Sequence, residues 1–218
     1  KSTFTTAVTK LFGSSATVNL EGDDYHNWDR ASPMWKSITH LNPRANRLFD
    51  LVNDLRKLLD GTSVRARSYD HLTGLFSALK SKRSKNLILI SGLHTLYLKS
   101  LVDEIDKSFY LRMDEKLRVA LKIKRDIHRG RDSDYTLNEI KKREKDSEKY
   151  IQPQAERADV IFNLLPVNPN DISHELSDDI KLKLRVIIKS CPYYSELIRA
   201  LTGVCNLHVN LNDINDIG

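Results

Sequence analysis

An uninterrupted apolar run, Leu87-Ile88-Leu89-Ile90, stands between a basic stretch, Lys80 to Lys85, and an abrupt polar exit, Ser91-Gly92-Leu93-His94. A run without alternation suits a strand covered on both faces, as in the middle of a parallel sheet. The exit residues then stand at the carboxyl end of that strand, the edge at which open α/β sheets bind their ligands. A plain core strand with a plain exit turn reads the same way in isolation, so the surrounding elements decide what the run is for.

Helices and strands alternate around it. Lys1-Ser2-Thr3 leads into Phe4, Ala7, Val8, Leu11 and Phe12, a helical stripe that stops at Gly13. Ala16 to Leu20 reads as a short strand opening onto Glu21-Gly22-Asp23-Asp24-Tyr25-His26. From Trp28 to His40 a loop is expected, with Pro33 set against a helix across it. Asn42 followed by Pro43 predicts a helix start, and the stripe Leu48, Leu51, Val52, Leu55, Leu58 and Leu59 carries that helix to Gly61. Thr62 to Tyr69 reads as extended, Asp70 to Gly74 as a turn, and the residues before Leu87 as a basic connector.

After His94, Leu96 to Ile105 reads as a short helix and Ser108 to Met113 as a strand. Asp114 caps a helix with Leu117, Ala120, Leu121 and Ile127 inward and Arg118, Lys122, Arg125 and Arg129 along one outer face. Thr136 with Glu139 forms a capping box for a charged helix to about Tyr150, whose stretch from Lys141 to Lys149 reads as a solvated face. Ala158 to Leu165, Lys181 to Lys189 and Asn206 to Leu211 are the last strand candidates. The alternation predicts an α/β fold, a three-layer sandwich with a mostly parallel central sheet and antiparallel edge strands at the C-terminus. Residues 1–166 are expected to form the core, with lid helices at about 114–150, and residues 167–218 a C-terminal strand extension of the same domain.

Composition narrows the function classes. With 218 residues, 29% of them charged, the chain is expected to be soluble, and no apolar run approaches the roughly 18 to 20 residues of a membrane helix. Cys191 and Cys205 have no C-x-x-C partner and no paired histidine spacing, which argues against a zinc site or disulfide scaffold and fits a reducing, cytoplasmic compartment. The net charge of +6 suits nucleic acid or phosphorylated small molecules equally. No aromatic and basic interleaving of an RNA platform is present, so nucleic acid is not expected as a partner. The sequence opens at Lys1 without methionine or leader pattern, so a portion of a longer protein is expected; a homo-oligomer or further domains remain open.

Three groups carry chemistry. Lys1-Ser2-Thr3 at the mouth of a helix is the end of a phosphate loop, in which Lys reaches phosphates and a hydroxyl holds magnesium, or an ordinary polar helix start. Asp23-Asp24-Tyr25-His26 puts two carboxylates and an imidazole at a strand end, where a kinase needs a base for its acceptor hydroxyl; an acidic turn capped by its own backbone is the plainer alternative. The cationic face of the Asp114 helix, continued by Arg131, is suited to clamping phosphates.

In order, these blocks resemble the phosphoribulokinase and uridine kinase family of P-loop kinases, closer to its phosphoribulokinase branch. The resemblance rests on Lys1-Ser2-Thr3, Asp23-Asp24-Tyr25-His26 with Asp29-Arg30, Leu41-Asn42-Pro43-Arg44-Ala45-Asn46 and Tyr69-Asp70-His71-Leu72-Thr73-Gly74. It continues through Gly92-Leu93-His94, Lys122-Ile123-Lys124-Arg125-Asp126, Arg129-Gly130 and Tyr150-Ile151-Gln152-Pro153-Gln154. It implies a P-loop kinase core that moves the γ-phosphate of ATP, with Mg2+, to a hydroxyl of a sugar phosphate or nucleoside-like small molecule. Lys1, Ser2 and Thr3 would then bind the nucleotide, Ser2 and Asp23 the magnesium, and Asp23 with Lys1 would be catalytic. Asp24, His26, Arg30, Tyr69, His71 and His94 would line the acceptor pocket, and Arg125, Arg129 and Arg131 would belong to a lid over ATP. The chain departs from the family in two places. The glycines of the phosphate loop are not in this sequence, and Ser91 stands where the family has Glu. The other reading is a non-catalytic, regulatory nucleotide-binding module of a larger protein.

Overall fold

The computed structural model describes residues 2–128, 130, 132–172, 180–189 and 194–204. Helix α1 (Ser2–Phe12) leads to β1 (Thr17–Glu21) and a 3-10 turn, Gly22–Tyr25. A short helix, α2 (Pro33–Ser37), and a 3-10 turn, Pro43–Ala45, precede α3 (Leu48–Leu59). Strands β2 (Val64–Ala66), β3 (Lys80–Lys82) and β4 (Leu87–Ser91), helix α4 (Lys99–Val102) and β5 (Phe109–Met113) follow. Then come α5 (Glu115–Ile127) and α6 (Ser133–Asp146), one π turn and one 3-10 turn over 147–157, β6 (Val160–Pro166) and β7 (Leu182–Ile188).

β1 and β4 pair in parallel with Thr17 opposite Leu87 and Glu21 opposite Ser91. β5 and β6 pair in parallel from Phe109 opposite Val160, and β7 lies beside β6. The fold is thus α/β with parallel strand pairs. One core cluster joins Val18 and Leu20 of β1 to Leu51, Val52, Leu55 and Leu58 of α3 and to Leu101 of α4, with Ile88 and Ile90 of β4 packed against it. Each fully buried leucine of that kind contributes about 1.5–3 kcal/mol. A second cluster gathers Leu96, Ala155, Ala158 and Ile161. These elements, except Ile188 at the end of β7, lie in a compact unit over Lys1–Ile187. A second unit, Ile188–Gly218, contains helix α7 (Tyr194–Arg199) followed by a π turn.

Several local expectations are corrected. Pro33 does not exclude a helix. It takes the first position of α2, where its missing N–H costs nothing, and the Ser32 hydroxyl accepts from the Met34 N–H. Asn42 caps only a 3-10 turn, because the chain leaves helical geometry at Asn46, which bridges to His26. The basic connector contains β3, paired antiparallel with β2. β4 is half-buried along its whole length rather than covered on both faces, and it pairs with β1 alone among the described residues. In α5 Ile127 is exposed, while Ile123 and Asp126 are buried. Thr136 caps nothing: α6 begins at Ser133, and Thr136 is buried within it. The strand expected over Asn206 to Leu211 lies outside the described residues.

Candidate active site

The exits of β1 and β4 touch through two glycines. A Cβ on Gly22 would lie 3.0 Å from the Gly92 Cα and 3.4 Å from the Ser91 carbonyl oxygen, and one on Gly92 would lie 3.0 Å from the Gly22 Cα. This backbone contact sets the turn that carries Asp23 against the segment that carries His94. Asp23, only 14% exposed, sits between two imidazoles: its Oδ2 is 3.2 Å from His71 Nε2 and its Oδ1 is 3.7 Å from His26 Nε2.

The tautomer of His26 follows from its neighbours. The Asn46 amide donates to the carbonyls of His40 (3.1 Å) and Asn42 (3.0 Å), so its Oδ1 is the atom that meets His26 Nδ1 at 2.6 Å. Nδ1 must therefore carry a proton, and the Nε2 edge of the ring is the one turned to Asp23. His26 is thus set in orientation by a loop twenty residues further along the chain.

Asp24, expected in the acceptor pocket, is buried beneath it. Its Oδ1 accepts the Tyr69 backbone N–H at 2.8 Å, and its Oδ2 is 3.2 Å from Lys82 Nζ, which also donates to the Asn19 carbonyl at 2.9 Å. Asp24 thereby positions the backbone of Tyr69. Arg30 ties the same loop down, donating from its backbone to Gly74 and from its guanidinium to the His71 carbonyl, each near the ideal length. Gly74 has φ +76°, and a Cβ there would fall 2.6 Å from the Arg30 Cβ, so this position requires glycine.

Rings line the same side. Trp35 of α2 stacks near-parallel to Tyr69 (centroids 5.8 Å, 13°) and to His40 (5.7 Å, 22°), and meets His26 edge-on at 5.2 Å. Burial and the nearby Arg143 and His26 hold His40 neutral, its pKa lowered to about 3. His94 is buried, 3.2 Å from the His40 carbonyl through Nε2, and burial lowers its pKa. With Asp23 and His26 it lines a cavity of about 10 Å³, the volume of about one water.

The opposing side is cationic. Lys122 and Arg125 of α5 and Lys142 and Arg143 of α6 line one cleft of about 420 Å³ together with Asp23, His26, Arg30, Trp35, Tyr69 and His71. Burial and the charges of Arg143, Arg118 and Arg125 bring Lys122 down to about 8, the mark of a cation bank suited to polyanions. Asp126, 3% exposed, accepts from Arg125 Nε at 3.1 Å and from Thr136 Oγ1 at 3.3 Å, and so fastens α5 to α6. The Thr39 hydroxyl donates to Asp146 at 2.6 Å, joining α6 to the loop that carries His40.

The cleft therefore brings together Asp23, His26, Arg30, Tyr69, His71 and Arg125 of the expected site residues. Ser2 and Thr3 form the first turn of α1; Lys1, Arg129 and Arg131 lie outside the described residues. Sequence reasoning passed over Trp35, His40 and Asn46, and took Lys142, Arg143 and Asp146 for solvated surface. A second tryptophan within a single loop, after Trp28, was the one available signal.

Comparison with known proteins accords with this geometry. Residues 1–172 match the Phosphoribulokinase / Uridine kinase family. The chain is 34% identical over 167 residues to a phosphoribulokinase of Synechocystis sp., a match covering 76% of this chain and 50% of that protein. It is 30% identical over 214 residues to the chloroplastic phosphoribulokinase of Mesembryanthemum crystallinum, covering 89% of this chain and 53% of the relative. It thus spans about half the length of these two curated relatives. A uridine kinase of Ligilactobacillus salivarius is 26% identical over 166 residues, covering 74% of this chain and 78% of that protein. The solved structure of a phosphoribulokinase from Rhodobacter spheroides superposes with a TM-score of 0.71 at 21% identity, covering 93% of this chain and 81% of that one, and shows the shared fold. With a family match over most of its length and parallel strand pairs that deliver Asp23 and its histidines to one cleft, this chain belongs to the phosphoribulokinase and uridine kinase family.

Proposed function

We propose that the protein is a kinase that transfers the γ-phosphate of Mg·ATP to a hydroxyl of a sugar phosphate or nucleoside-like acceptor. The observation that carries this reading is the single cleft in which Asp23, flanked by His26 and His71, faces Lys122, Arg125 and Arg143. Phosphoryl transfer needs little from a protein beyond these two things: a base for the acceptor proton and fixed positive charge where the phosphates lie.

Bound ATP supplies the transferable phosphoryl group, and Mg2+ neutralises charge on its phosphates. Among the described residues no group of three His, Cys, Asp or Glu is placed to hold a metal ion. That fits a magnesium held mainly by substrate phosphates and water with one or two protein oxygens; Ser2 and Asp23 would hold it. Asp23 accepts the proton of the acceptor hydroxyl. Lys122, Arg125 and Arg143 hold the transferred charge, and Lys1, Thr3, Arg129 and Arg131 are assigned to the nucleotide by the family resemblance. Helices α5 and α6 exclude water from the cleft. The two unpaired-motif cysteines support a reducing, cytoplasmic setting.

Ser91 favours a second reading, a nucleotide-binding module without catalysis. It ends β4 with a neutral hydroxyl, its in-register neighbour being Glu21 of β1. The two readings separate on Asp23→Asn in the full-length protein. Acceptor-dependent ATP turnover is expected to fall by at least about 10²-fold, and turnover equal to that of the natural protein would overturn the role of Asp23.

A further inference from the structure

The ring cluster in the cleft bears on which acceptors can enter, an inference that rests on the kinase reading above. Trp35 is the only member of the cluster that stands near-parallel to two others, Tyr69 and His40, while His26 meets it edge-on. The ring of His26 and the backbones of Tyr69 and His40 are held by groups other than the indole. Tyr69 is fixed through its backbone N–H to buried Asp24. His26 is fixed through Asn46, and His40 is half-buried, its carbonyl accepting from Asn46 and His94. The indole therefore fills a place whose walls would persist without it.

A planar ring in that place has two stacking partners and one edge partner, the arrangements that aromatic pairs prefer. The place lies on the cleft that also holds Asp23, so a nucleoside whose hydroxyl approaches Asp23 would need room nearby for its base. The α5 and α6 part of the lining carries four cations, Lys122, Arg125, Lys142 and Arg143, against two carboxylates, Asp126 and Glu139, an excess of positive charge that suits phosphate more than an uncharged heterocycle.

We propose that Trp35 occupies, from within the chain, the place in the cleft where a planar base would stack on Tyr69 and His40, and so restricts the acceptor to non-planar, phosphorylated polyols. Trp35 is on this account a specificity-determining residue of the acceptor site, and its removal creates a ring-binding slot.

The test uses the full-length protein, its Trp35→Gly variant and its Trp35→Phe variant, with indole, uridine and a panel of pentose phosphates. Calorimetric binding is measured without ATP, and acceptor-dependent ATP turnover is measured separately. Trp35→Gly is expected to bind indole and uridine where the natural protein does not, and to shift the uridine-to-pentose-phosphate turnover ratio upward by at least about tenfold. Added indole should reverse that shift, and Trp35→Phe, which keeps a ring in place, should retain the natural preference. A Trp35→Gly protein with natural circular dichroism that binds neither indole nor uridine overturns the proposal. So does a natural protein that already uses uridine as well as any pentose phosphate, a result that needs no variant. Absence of turnover with every acceptor defeats the kinase reading instead, while indole and uridine binding to Trp35→Gly still decides the role of Trp35.

Discussion

Asp23 and Asp24 are chain neighbours with different work. Asp23 opens to the cleft between two imidazoles, whereas both oxygens of Asp24 are used on the Tyr69 backbone and Lys82. The sequence shows two carboxylates and cannot say which is turned inward, because that depends on residues 45 and 58 positions away. Histidine environments are equally local to the fold. His40 stays neutral in the native protein down to about pH 3, while its ordinary value is 6.5. An unfolded chain thus takes up a proton below pH 6.5 that the native one refuses, so native stability falls as pH drops through that window. Between pH 6.5 and 5 this one group removes about 2 kcal/mol. His40→Phe, which keeps a ring beside Trp35, should flatten the decline of thermal midpoint over that range. Parallel midpoint curves for the two proteins would sink the assignment.

Helices α5 and α6 show what periodicity conveys and what it omits. The Asp114 cap, the helix it starts and the cationic face were all legible, since capping and amphipathicity are set within a few residues. Which cations serve the cleft was not: Arg118 pairs with Glu115, whereas Lys122 and Arg125 line the cleft beside Lys142 and Arg143 of the neighbouring helix. Thr136 reads as a cap because Thr-x-x-Glu is a cap signature. It is instead a link between the helices, its hydroxyl shared between the Asp132 carbonyl at 3.2 Å and buried Asp126 of α5 at 3.3 Å. Thr136→Val keeps the shape and removes that donor, which is expected to cost about 1–3 kcal/mol, read as a lower denaturation midpoint. A midpoint equal to that of the natural protein would show that Asp126 does not depend on Thr136. The break between the Asn42 turn and α3 has the same origin, because Asn46 leaves the helical path to bridge His26.

Across the molecule, the site exists because two parallel strands end together. Gly22 and Gly92 allow their exits to approach more closely than any side chain permits. Gly22→Ala must push these backbones apart; overpacking of this kind costs about 1–3 kcal/mol, and because Asp23 is the next residue, acceptor-dependent turnover should fall further than stability does. Unchanged turnover in a stably folded variant would mean that the strand contact does not set Asp23. The alternation of strands and helices, the turns and the ordered blocks around Asp23, His26, His71 and Arg125 were readable from the chain, because propensity, capping and spacing act over a few residues. The burial of Asp24, the tautomer of His26, the pairing of β2 with β3, the link from Thr39 to Asp146 and the stacking of Trp35 on Tyr69 were decided by folding. Each depends on a partner distant in the sequence, 107 residues away for Thr39, and no local pattern encodes which distant group will arrive.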